Sequence, residues 1–255
     1  MRRSVILAAV AALALSSAAC SGGAGLQPPP EPSSYTSVLA DPVRTADDRA
    51  RDQARHTAET LAFAQVRPGQ KIADLIIGGG YFTRVFSAAV GPRGRVTAWQ
   101  PTEFIAFQTS YGEALTAADA LANVDGVRSP IAAPVLPSGL DLAFTAHSYH
   151  DLHLNVMPQD TASRVNAAVF AALKPGGLYV VIDHHAVAGA PRTAADTVHR
   201  IDVERVKREV LAAGFVLDGE SGILANPDDP LTASVFDGSI RGRTSQFMLR
   251  FRKPG

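Results

Sequence analysis

A short apolar run that ends in three consecutive glycines constrains this chain more than any other feature. Residues 71–77 are mostly apolar, and Gly78, Gly79 and Gly80 follow them directly, ahead of a stretch with helical character. A strand that turns through glycine into a helix brings bare backbone N–H groups next to a helix N-terminus. Such a junction suits an anionic or polar nucleotide-like ligand. The run therefore predicts an α/β fold with a ligand site at the end of its first strand.

Apolar strands and amphipathic helices alternate along the rest of the chain. The sequence predicts helices at 43–64, 82–90, 112–123, 162–173 and 203–214, and strands at 71–77, 95–99, 140–145, 178–182, 215–217 and 246–252. Near-continuous apolar strands separated by such helices indicate a mostly parallel sheet covered on both faces. We therefore expect an α/β, Rossmann-like, doubly wound domain whose ligand crevice lies at the carboxyl ends of the strands.

The first 20 residues have the features of an export signal. Arg2 and Arg3 precede an apolar run, residues 5–15, which is too short to span a bilayer core of about 30 Å. The segment Ser17-Ala18-Ala19-Cys20 resembles the lipobox of bacterial lipoproteins, in which the cysteine is lipidated. Cys20 is the only cysteine of the chain, which favours lipidation over a disulfide or redox role. Since Ser17 stands where an aliphatic residue is usual, cleavage at another small residue is the alternative.

The composition divides the remainder into a tether and one domain. Residues 21–42 are rich in Gly, Pro and Ser, so they are expected to form a linker without a core. Residues 43–255 have the size of one α/β domain. The chain has 24 Lys plus Arg and 24 Asp plus Glu, a balance that excludes the basic footprint of a nucleic-acid binder. We expect a small-molecule substrate, a location in the bacterial cell envelope, and membrane contact only through a lipid on Cys20.

The order of four segments resembles the class I S-adenosylmethionine-dependent methyltransferases. These segments are Gly78 to Arg84, Gly94-Arg95-Val96, Asp141-Leu142 and Leu173 to Gly177. More narrowly, four others look like a group of bacterial predicted methyltransferases of unknown substrate, namely Tyr149 to Leu152, Asp183-His184, His199 to Asp202 and Phe251 to Pro254. The resemblance covers roughly residues 43–254. It implies a seven-stranded sheet with an antiparallel final hairpin, S-adenosylmethionine as cofactor, and methyl transfer as the reaction.

The same resemblance implies which residues contact the methionine part of the cofactor. Asp74, at the end of the first strand, would hold the amino group directly or through water. The glycine run would permit close approach of the cofactor, and Tyr81 would pack beside it. In the family pattern Asp-x-Gly-x-Gly-x-Gly the first glycine falls at Ile76, which is a departure from that pattern.

A second departure lies at the end of the second strand. The family usually places an acidic residue there on the ribose hydroxyls, whereas this chain has Gln100. An amide can donate and accept, but a carboxylate accepts better from two hydroxyls. We therefore expect weaker cofactor binding or a preference for another nucleoside, unless Glu103 takes over this role.

Five histidines form the second concentration of functional side chains. They follow the fourth and fifth strands, as His147, His150 and His153 and as His184 and His185. Both loops open at the end of the sheet that carries the glycine run, so we expect the five to converge on one crevice. In a methyltransferase, His150 would take the proton of an attacking oxygen or nitrogen while Asp151 orients its imidazole. Tyr149 and His184 complete the predicted catalytic set.

Other interpretations of these side chains stay open. A divalent metal could bind to His147, His150 and His153 with Asp151, Asp183 and His184, but the spacing matches no dedicated zinc motif, and no metal is predicted. The pair His199-Arg200 suits either a substrate lid with an anion site or capping and pairing within a late helix. Arg55 and His56 are weaker candidates.

The predicted export conflicts with the predicted cofactor. S-adenosylmethionine is made and held in the cytoplasm, whereas the signal directs the domain across the inner membrane. A fold does not dictate one function. The alternative function is therefore a non-catalytic or metal-binding envelope lipoprotein that keeps the methyltransferase fold.

Overall fold

A seven-stranded sheet forms the centre of the computed structural model, which describes residues 28–255. Its strands are β1 (Lys71–Leu75), β2 (Arg95–Pro101), β3 (Val124–Ser129), β4 (Leu140–Ala146), β5 (Leu173–His184), β6 (Val216–Ser221) and β7 (Gln246–Arg252). They lie in the order β3-β2-β1-β4-β5-β7-β6. Strands β1 to β5 pair in parallel, and β7 is antiparallel to both β5 and β6. The predicted mostly parallel, doubly wound sheet with a final antiparallel hairpin is confirmed.

Helices cover the two faces of this sheet. They are α1 (Thr36–Leu39), α2 (Ala46–Arg51), α3 (Thr57–Phe63), α4 (Tyr81–Val90), α5 (Thr102–Phe107), α6 (Thr109–Asp119), α7 (Thr161–Ala172), α8 (Ala194–Val198) and α9 (Val203–Ala212). Single 3-10 turns occur at Pro32–Tyr35, Gly91–Arg93 and His150–His153. Within residues 28–255, no helix combines the length and the apolar character that crossing a membrane requires.

The core consists of two apolar clusters, one on each face of the sheet. Side chains alternate between the faces along each strand, so β4 sends Leu142 and Phe144 into one cluster and Ala143 into the other. Helix α4 covers the first cluster with Phe86, whereas α7 covers the second with Val169. Burial on both faces explains why these strands are almost continuously apolar in the sequence.

The single helix predicted for residues 43–64 is wrong, because the chain breaks between α2 and α3. Helix α2 begins with a capping box in which Thr45 and Asp48 bind each other's backbone N–H groups. The break ends at His56, which has a left-handed backbone with φ of 43°. Glycine usually marks such a conformation, because a β-carbon disfavours it. Since His56 is not glycine, the local sequence contains no stop signal. The break brings Arg51 and Arg55 to the mouth of the cavity described below.

Strand β3 has no counterpart among the apolar runs of the sequence. It lies at one edge of the sheet and pairs with β2 alone. Only its first and last residues, Val124 and Ser129, are buried. An edge strand that is mostly half-buried contains polar residues, so its sequence does not read as an apolar run.

The folded region begins earlier than residue 43, where the sequence analysis placed the start of the domain. Tyr35 is buried in the first core cluster, and its hydroxyl donates a hydrogen bond to the backbone oxygen of Val66 at 2.7 Å. Residues 32–42 are therefore packed against the domain and do not form a free tether. The predicted signal, Cys20 and the first part of the predicted linker lie outside the described residues.

Candidate active site

A cavity of about 1110 Å³ lies at the carboxyl ends of the central parallel strands. The predicted site residues that line it are Asp74, Gly78, Gly79, Tyr81, Gln100, Glu103, His150, Asp151 and His184. The structure thus brings nine of the predicted residues to one place, as expected for the crevice of a doubly wound sheet. Gly80 lies directly beside it as the N-cap of α4, and Tyr149 is the one predicted residue that lies elsewhere.

The turn after β1 has the backbone shape of a glycine loop even where the residue is not glycine. Ile76, Gly78 and Gly80 all have left-handed backbones, with φ of 56°, 54° and 74°. Ile76 is held in this disfavoured conformation by its N–H group, which donates to the backbone oxygen of Trp99 at 2.8 Å. A β-carbon on Gly78 or Gly79 would meet nothing within 4 Å. The turn therefore leaves open space above its backbone, although Ile76 replaces the usual glycine.

Asp74 presents a buried carboxylate beside this turn. It is 3 % exposed, and the Thr83 hydroxyl donates to its Oδ2 at 2.6 Å. Burial raises the pKa of Asp74 to about 7, against the opposing effects of the Thr83 hydrogen bond and of the Arg55 and Arg84 charges. A cationic ligand group near Asp74 would favour the carboxylate form.

Gln100 binds the glycine turn through the oxygen of its side-chain amide. Its Oε1 accepts a hydrogen bond from the backbone N–H of Gly78 at 3.0 Å. Its Nε2 is buried and has no partner among residues 28–255. Gln100 therefore offers a donor and not the pair of acceptors that an acidic residue would offer at this point.

Glu103 supplies the carboxylate that the end of β2 lacks. It lies in the first turn of α5, and its Oε2 accepts a hydrogen bond from the backbone N–H of Ile131 at 3.0 Å. The N-terminal turn of a helix favours a negative charge. This contact holds an anionic acceptor at the cavity wall, close in sequence to Gln100.

Tyr81 and Arg55 close the cavity on the side of the N-terminal helices. The Tyr81 hydroxyl donates to Asp52 Oδ1 at 2.5 Å, so the broken helix region is fixed to the start of α4. The Arg55 guanidinium lies 4.5 Å from the centroid of the Tyr81 ring and 5.5 Å from that of Phe82. This stacking holds a cation at the mouth of the cavity, where its charge acts on Asp74.

The sequence predicts that Asp151 orients the His150 ring, and this prediction is wrong. The structure shows that Asp183 orients it. Its Nδ1 lies 2.9 Å from Asp183 Oδ1, and its backbone N–H donates to Asp183 Oδ2 at 2.7 Å. Its Nε2 faces Asp151, whose Oδ1 is 3.4 Å away. Although burial lowers it, the pKa of His150 is raised to about 9 by Asp183 and Asp151. Burial raises the pKa of Asp151 to about 6, and the His150 charge opposes this shift.

His147 and His184 form a stacked pair with a different character. Their ring centroids are 4.7 Å apart. Burial, the largest cause, lowers the pKa of His147 to about 4 and that of His184 to about 2. His147 Nε2 pairs with Gln246 Oε1 at 2.7 Å, and His184 Nδ1 pairs with the Thr244 hydroxyl at 2.8 Å. The pair is therefore a neutral, hydrogen-bonded wall of the cavity.

Tyr149 does not belong to the cavity, so its predicted place in the catalytic set is not supported by its position. It is fully buried in the second core cluster, where its hydroxyl donates to Glu209 Oε2 at 3.1 Å and accepts from Asn166 Nδ2 at 2.8 Å.

The predicted convergence of five histidines holds for three of them. His147, His150 and His184 line the cavity. His153 is buried beside Glu209, to which its Nε2 is joined at 2.9 Å. The ring of His185 packs against the edge of Phe247, with centroids 5.1 Å apart. The latter two are structural.

His199 joins the cavity from the end of α8, and its neighbour Arg200 does not. The rings of His199 and His150 are perpendicular, with centroids 5.5 Å apart. Arg200 is completely buried and pairs with Asp229 at 2.9 Å. The sequence allows two interpretations of this pair, because nothing in the local sequence separates a cavity residue from its buried neighbour.

Apolar side chains form the rest of the cavity wall and its rim. Phe104, Leu154 and Met157 line the interior, while Phe107 and Val156 at the rim are 85 % and 82 % exposed. A cavity with an apolar wall and a few polar groups suits a small organic ligand.

Comparison with known proteins identifies the fold. No family model and no curated protein matches the sequence. A solved S-adenosylmethionine-dependent methyltransferase from Aquifex aeolicus is similar, with a TM-score of 0.55 and 18 % identity over 87 % of this chain and 97 % of that chain. The N-methyltransferase NodS from Bradyrhizobium japonicum WM9 is also similar, with a TM-score of 0.56 and 14 % identity over 82 % of this chain and 99 % of that chain.

The cyclase SpnF is also similar, with a TM-score of 0.56 and 18 % identity over 79 % of this chain and 80 % of that chain. One architecture thus serves proteins described by different reactions, so the likeness identifies the fold and not the reaction. The strand order, the antiparallel β7 and these similarities all show that the chain has the class I methyltransferase fold.

Proposed function

We propose that the protein is an S-adenosylmethionine-dependent methyltransferase that acts on a small molecule. The observation that carries this proposal is that two functional walls share one cavity. Asp74 and the open glycine turn form one wall, and the His150–Asp183 pair belongs to the other. A methyltransferase needs both a cofactor site and a group that receives a proton from the acceptor.

The residues at the first wall fit the cofactor. Asp74 would hold the ammonium group of its methionine part, and Arg55 would hold the carboxylate. The free donor of Gln100 and the carboxylate of Glu103 would contact the nucleoside. The space above Gly78 would admit the cofactor close to the backbone. When bound, S-adenosylmethionine would supply an electrophilic methyl group on a positively charged sulfonium.

The second wall would prepare the acceptor. Asp183 fixes the His150 ring through Nδ1, so that Nε2 and the adjacent Asp151 carboxylate face the cavity. An acceptor O–H or N–H group that contacts this pair would give its proton to the Asp151 carboxylate as the new bond to carbon forms. His150, whose raised pKa keeps it protonated near neutral pH, would stabilise that carboxylate and orient the acceptor. The neutral His184 would pack against the acceptor. The apolar wall would hold the rest of the acceptor in line with the cofactor.

The departures from the family pattern do not favour the alternative of a non-catalytic or metal-binding envelope protein. Ile76 adopts a left-handed backbone, the conformation that glycine favours. Gln100 supports the glycine turn and keeps a free donor. Both features are compatible with a working cofactor site.

Calorimetric titration of the full-length protein with S-adenosylmethionine and S-adenosylhomocysteine tests this function. We expect binding of both ligands, strongly weakened binding in Asp74→Asn, and unchanged binding in the control Asp125→Asn, whose carboxylate pairs with Arg95 at the surface. Absence of heat with the unaltered protein at high micromolar ligand would contradict the proposal. The acceptor can then be sought by measuring S-adenosylhomocysteine release with panels of small phenols and amines, for which His150→Ala should bind cofactor without turnover.

A further inference from the structure

Three side chains of the kind that bind transition metals meet in the wall of the cavity. His150, Asp151 and His199 each offer one ligand atom, and these atoms lie within 4.8 Å of one another. His150 Nε2 and Asp151 Oδ1 are already 3.4 Å apart. The residues come from two separate segments, the 3-10 turn after β4 and the end of α8, so the cluster is a product of the fold.

The first imidazole is oriented as metal ligands usually are. Asp183 binds Nδ1 of His150 at 2.9 Å, which leaves Nε2 as the atom that faces the cavity. A carboxylate on the far nitrogen of a ligating histidine fixes its tautomer and strengthens it as a ligand. Asp183 is itself fully buried and also accepts from the His150 backbone N–H at 2.7 Å. The imidazole therefore has no freedom to turn away.

The second imidazole is held in place by its backbone and by its neighbours. His199 has a left-handed backbone, with φ of 53°, and such strained residues concentrate at functional sites. Phe236 packs against the ring, with centroids 4.8 Å apart. The next residue, Arg200, is anchored by its buried pair with Asp229. The fold thus maintains a disfavoured backbone that presents an imidazole to the cavity.

The carboxylates around His150 favour the binding of a cation. Two carboxylates, Asp151 and Asp183, lie on opposite nitrogens of one imidazole. The other groups that act on it are the imidazoles of His147, His184 and His199. A divalent cation at Nε2 would neutralise the two negative charges of these carboxylates. A proton at Nε2 neutralises only one of them.

We propose that His150, Asp151 and His199 bind a divalent transition-metal ion. Two imidazoles and one carboxylate suit zinc, iron or manganese, since magnesium and calcium prefer oxygen ligands. Metal–ligand distances of about 2.0–2.2 Å require a small inward movement of the three side chains. Three protein ligands leave a coordination position open toward the cavity, where an acceptor oxygen or nitrogen can bind and lose its proton more readily. With the metal bound, that proton would pass to solvent, because His150 and Asp151 are then ligands.

This set differs from the one suggested by the histidine spacing in the sequence. His153 lies beside Glu209, away from the cavity. His147 and His184 are hydrogen-bonded to Gln246 and Thr244. Of the six residues in that alternative, only His150 and Asp151 are ligands here, and His199 replaces the others. The metal site does not depend on the proposed methyl transfer, because it can be measured without a cofactor.

Cobalt(II) binding to the full-length protein, after treatment with a chelator and dialysis, tests the site. We expect one equivalent of cobalt to bind with a visible d–d absorption, and zinc to displace it. The informative variant is His199→Asn, because asparagine tolerates a left-handed backbone and lacks the imidazole. Loss of one of three ligands should weaken cobalt binding by roughly 100-fold, at least as much as loss of a supporting contact does.

His56→Asn is the matched control, since His56 also has a left-handed backbone and its side chain is 42 % exposed outside the cavity. It should bind cobalt like the unaltered protein, and so should Cys20→Ser, which removes the single thiol. If His199→Asn does not fold by circular dichroism, Asp151→Asn serves in its place, with the same expected loss. Absence of cobalt absorption in the unaltered protein, equal affinity of the His199 and His56 variants, or loss of binding in Cys20→Ser would overturn the site.

Discussion

The side-chain oxygen of Gln100 accepts a hydrogen bond from the backbone N–H of Gly78 at 3.0 Å, so the end of β2 supports the turn that follows β1. Gln100 is completely buried, and its amide nitrogen has no partner among the described residues. The residue that departs from the acidic position of the family therefore has a structural task in the glycine turn. It also keeps one free donor at the cavity.

Replacing Gln100 by leucine should weaken cofactor binding. The change leaves the Gly78 N–H unpaired and removes the free donor, and an unsatisfied buried polar group costs about 1–3 kcal/mol. We expect the dissociation constant for S-adenosylmethionine to rise roughly 10-fold or more, as measured by calorimetry. The control is Gln108→Leu at the exposed rim of the cavity. Equal affinities of the two variants would contradict this role.

Cofactor binding should depend on pH through Asp74. Because its pKa is raised to about 7, Asp74 is mostly protonated below that pH and cannot pair with an ammonium group. Affinity should thus rise as the pH increases through 7, by roughly 10-fold between pH 6 and pH 8. Calorimetry at several pH values measures this slope. The Asp74→Asn variant should bind weakly with no such slope, and a slope that survives in it would assign the titration to another group.

Tyr149→Phe should affect stability and leave cofactor binding intact. The hydroxyl lies between Glu209 and Asn166 in the core and not at the cavity. Its loss leaves Asn166 Nδ2 without an acceptor, which should lower the free energy of unfolding by about 1–3 kcal/mol. Urea denaturation measures the loss, and titration with S-adenosylmethionine measures the retained affinity. A weaker cofactor complex with unchanged stability would return Tyr149 to the functional site.

Predicting the fold from sequence succeeds where burial determines the residue type. The central strands β1, β4 and β5 are covered on both faces, so their apolar runs can be recognised. Strand β3 escapes recognition because it is an edge strand with polar residues. The break at His56 escapes because no local signal marks its left-handed backbone, while the broken region is fixed to the start of α4 by a distant contact between Asp52 and Tyr81.

Prediction of the site from sequence succeeds for residues that directly follow a strand, because the end of the strand determines where they lie. Asp74, the glycine run and the turn after β4 follow from the rule that parallel strands open their crevice at their carboxyl ends. The pairing of His150 with Asp183 joins residues 33 positions apart, and spacing within one loop had suggested Asp151 instead. His199 reaches the cavity from α8, which no periodicity in the sequence places there.

Cys20→Ala should release the protein from the membrane. The sequence predicts that Cys20 is lipidated after export, and this residue lies outside the described part of the chain. A single acyl chain binds weakly, so stable anchoring requires the multiple chains of a lipoprotein cysteine. Cell fractionation of the variant should move the protein from the membrane to the soluble envelope fraction, and Ser21→Ala is the control. Unchanged membrane association of Cys20→Ala would refute lipidation there.

Breaking the Arg200–Asp229 pair should destabilise the domain strongly, because both side chains are completely buried. Arg200 also donates to the backbone oxygens of His185 and Ala233, each at 2.8 Å, so it fixes the irregular segment 222–245 next to the cavity. Asp229→Asn removes one charge of the pair and should lower the free energy of unfolding by about 3–5 kcal/mol. The exposed pair Arg95–Asp125 is the control, where Asp125→Asn should cost at most about 1 kcal/mol. Urea denaturation compares the two variants, and equal stabilities would show that the buried pair does not hold this segment in place.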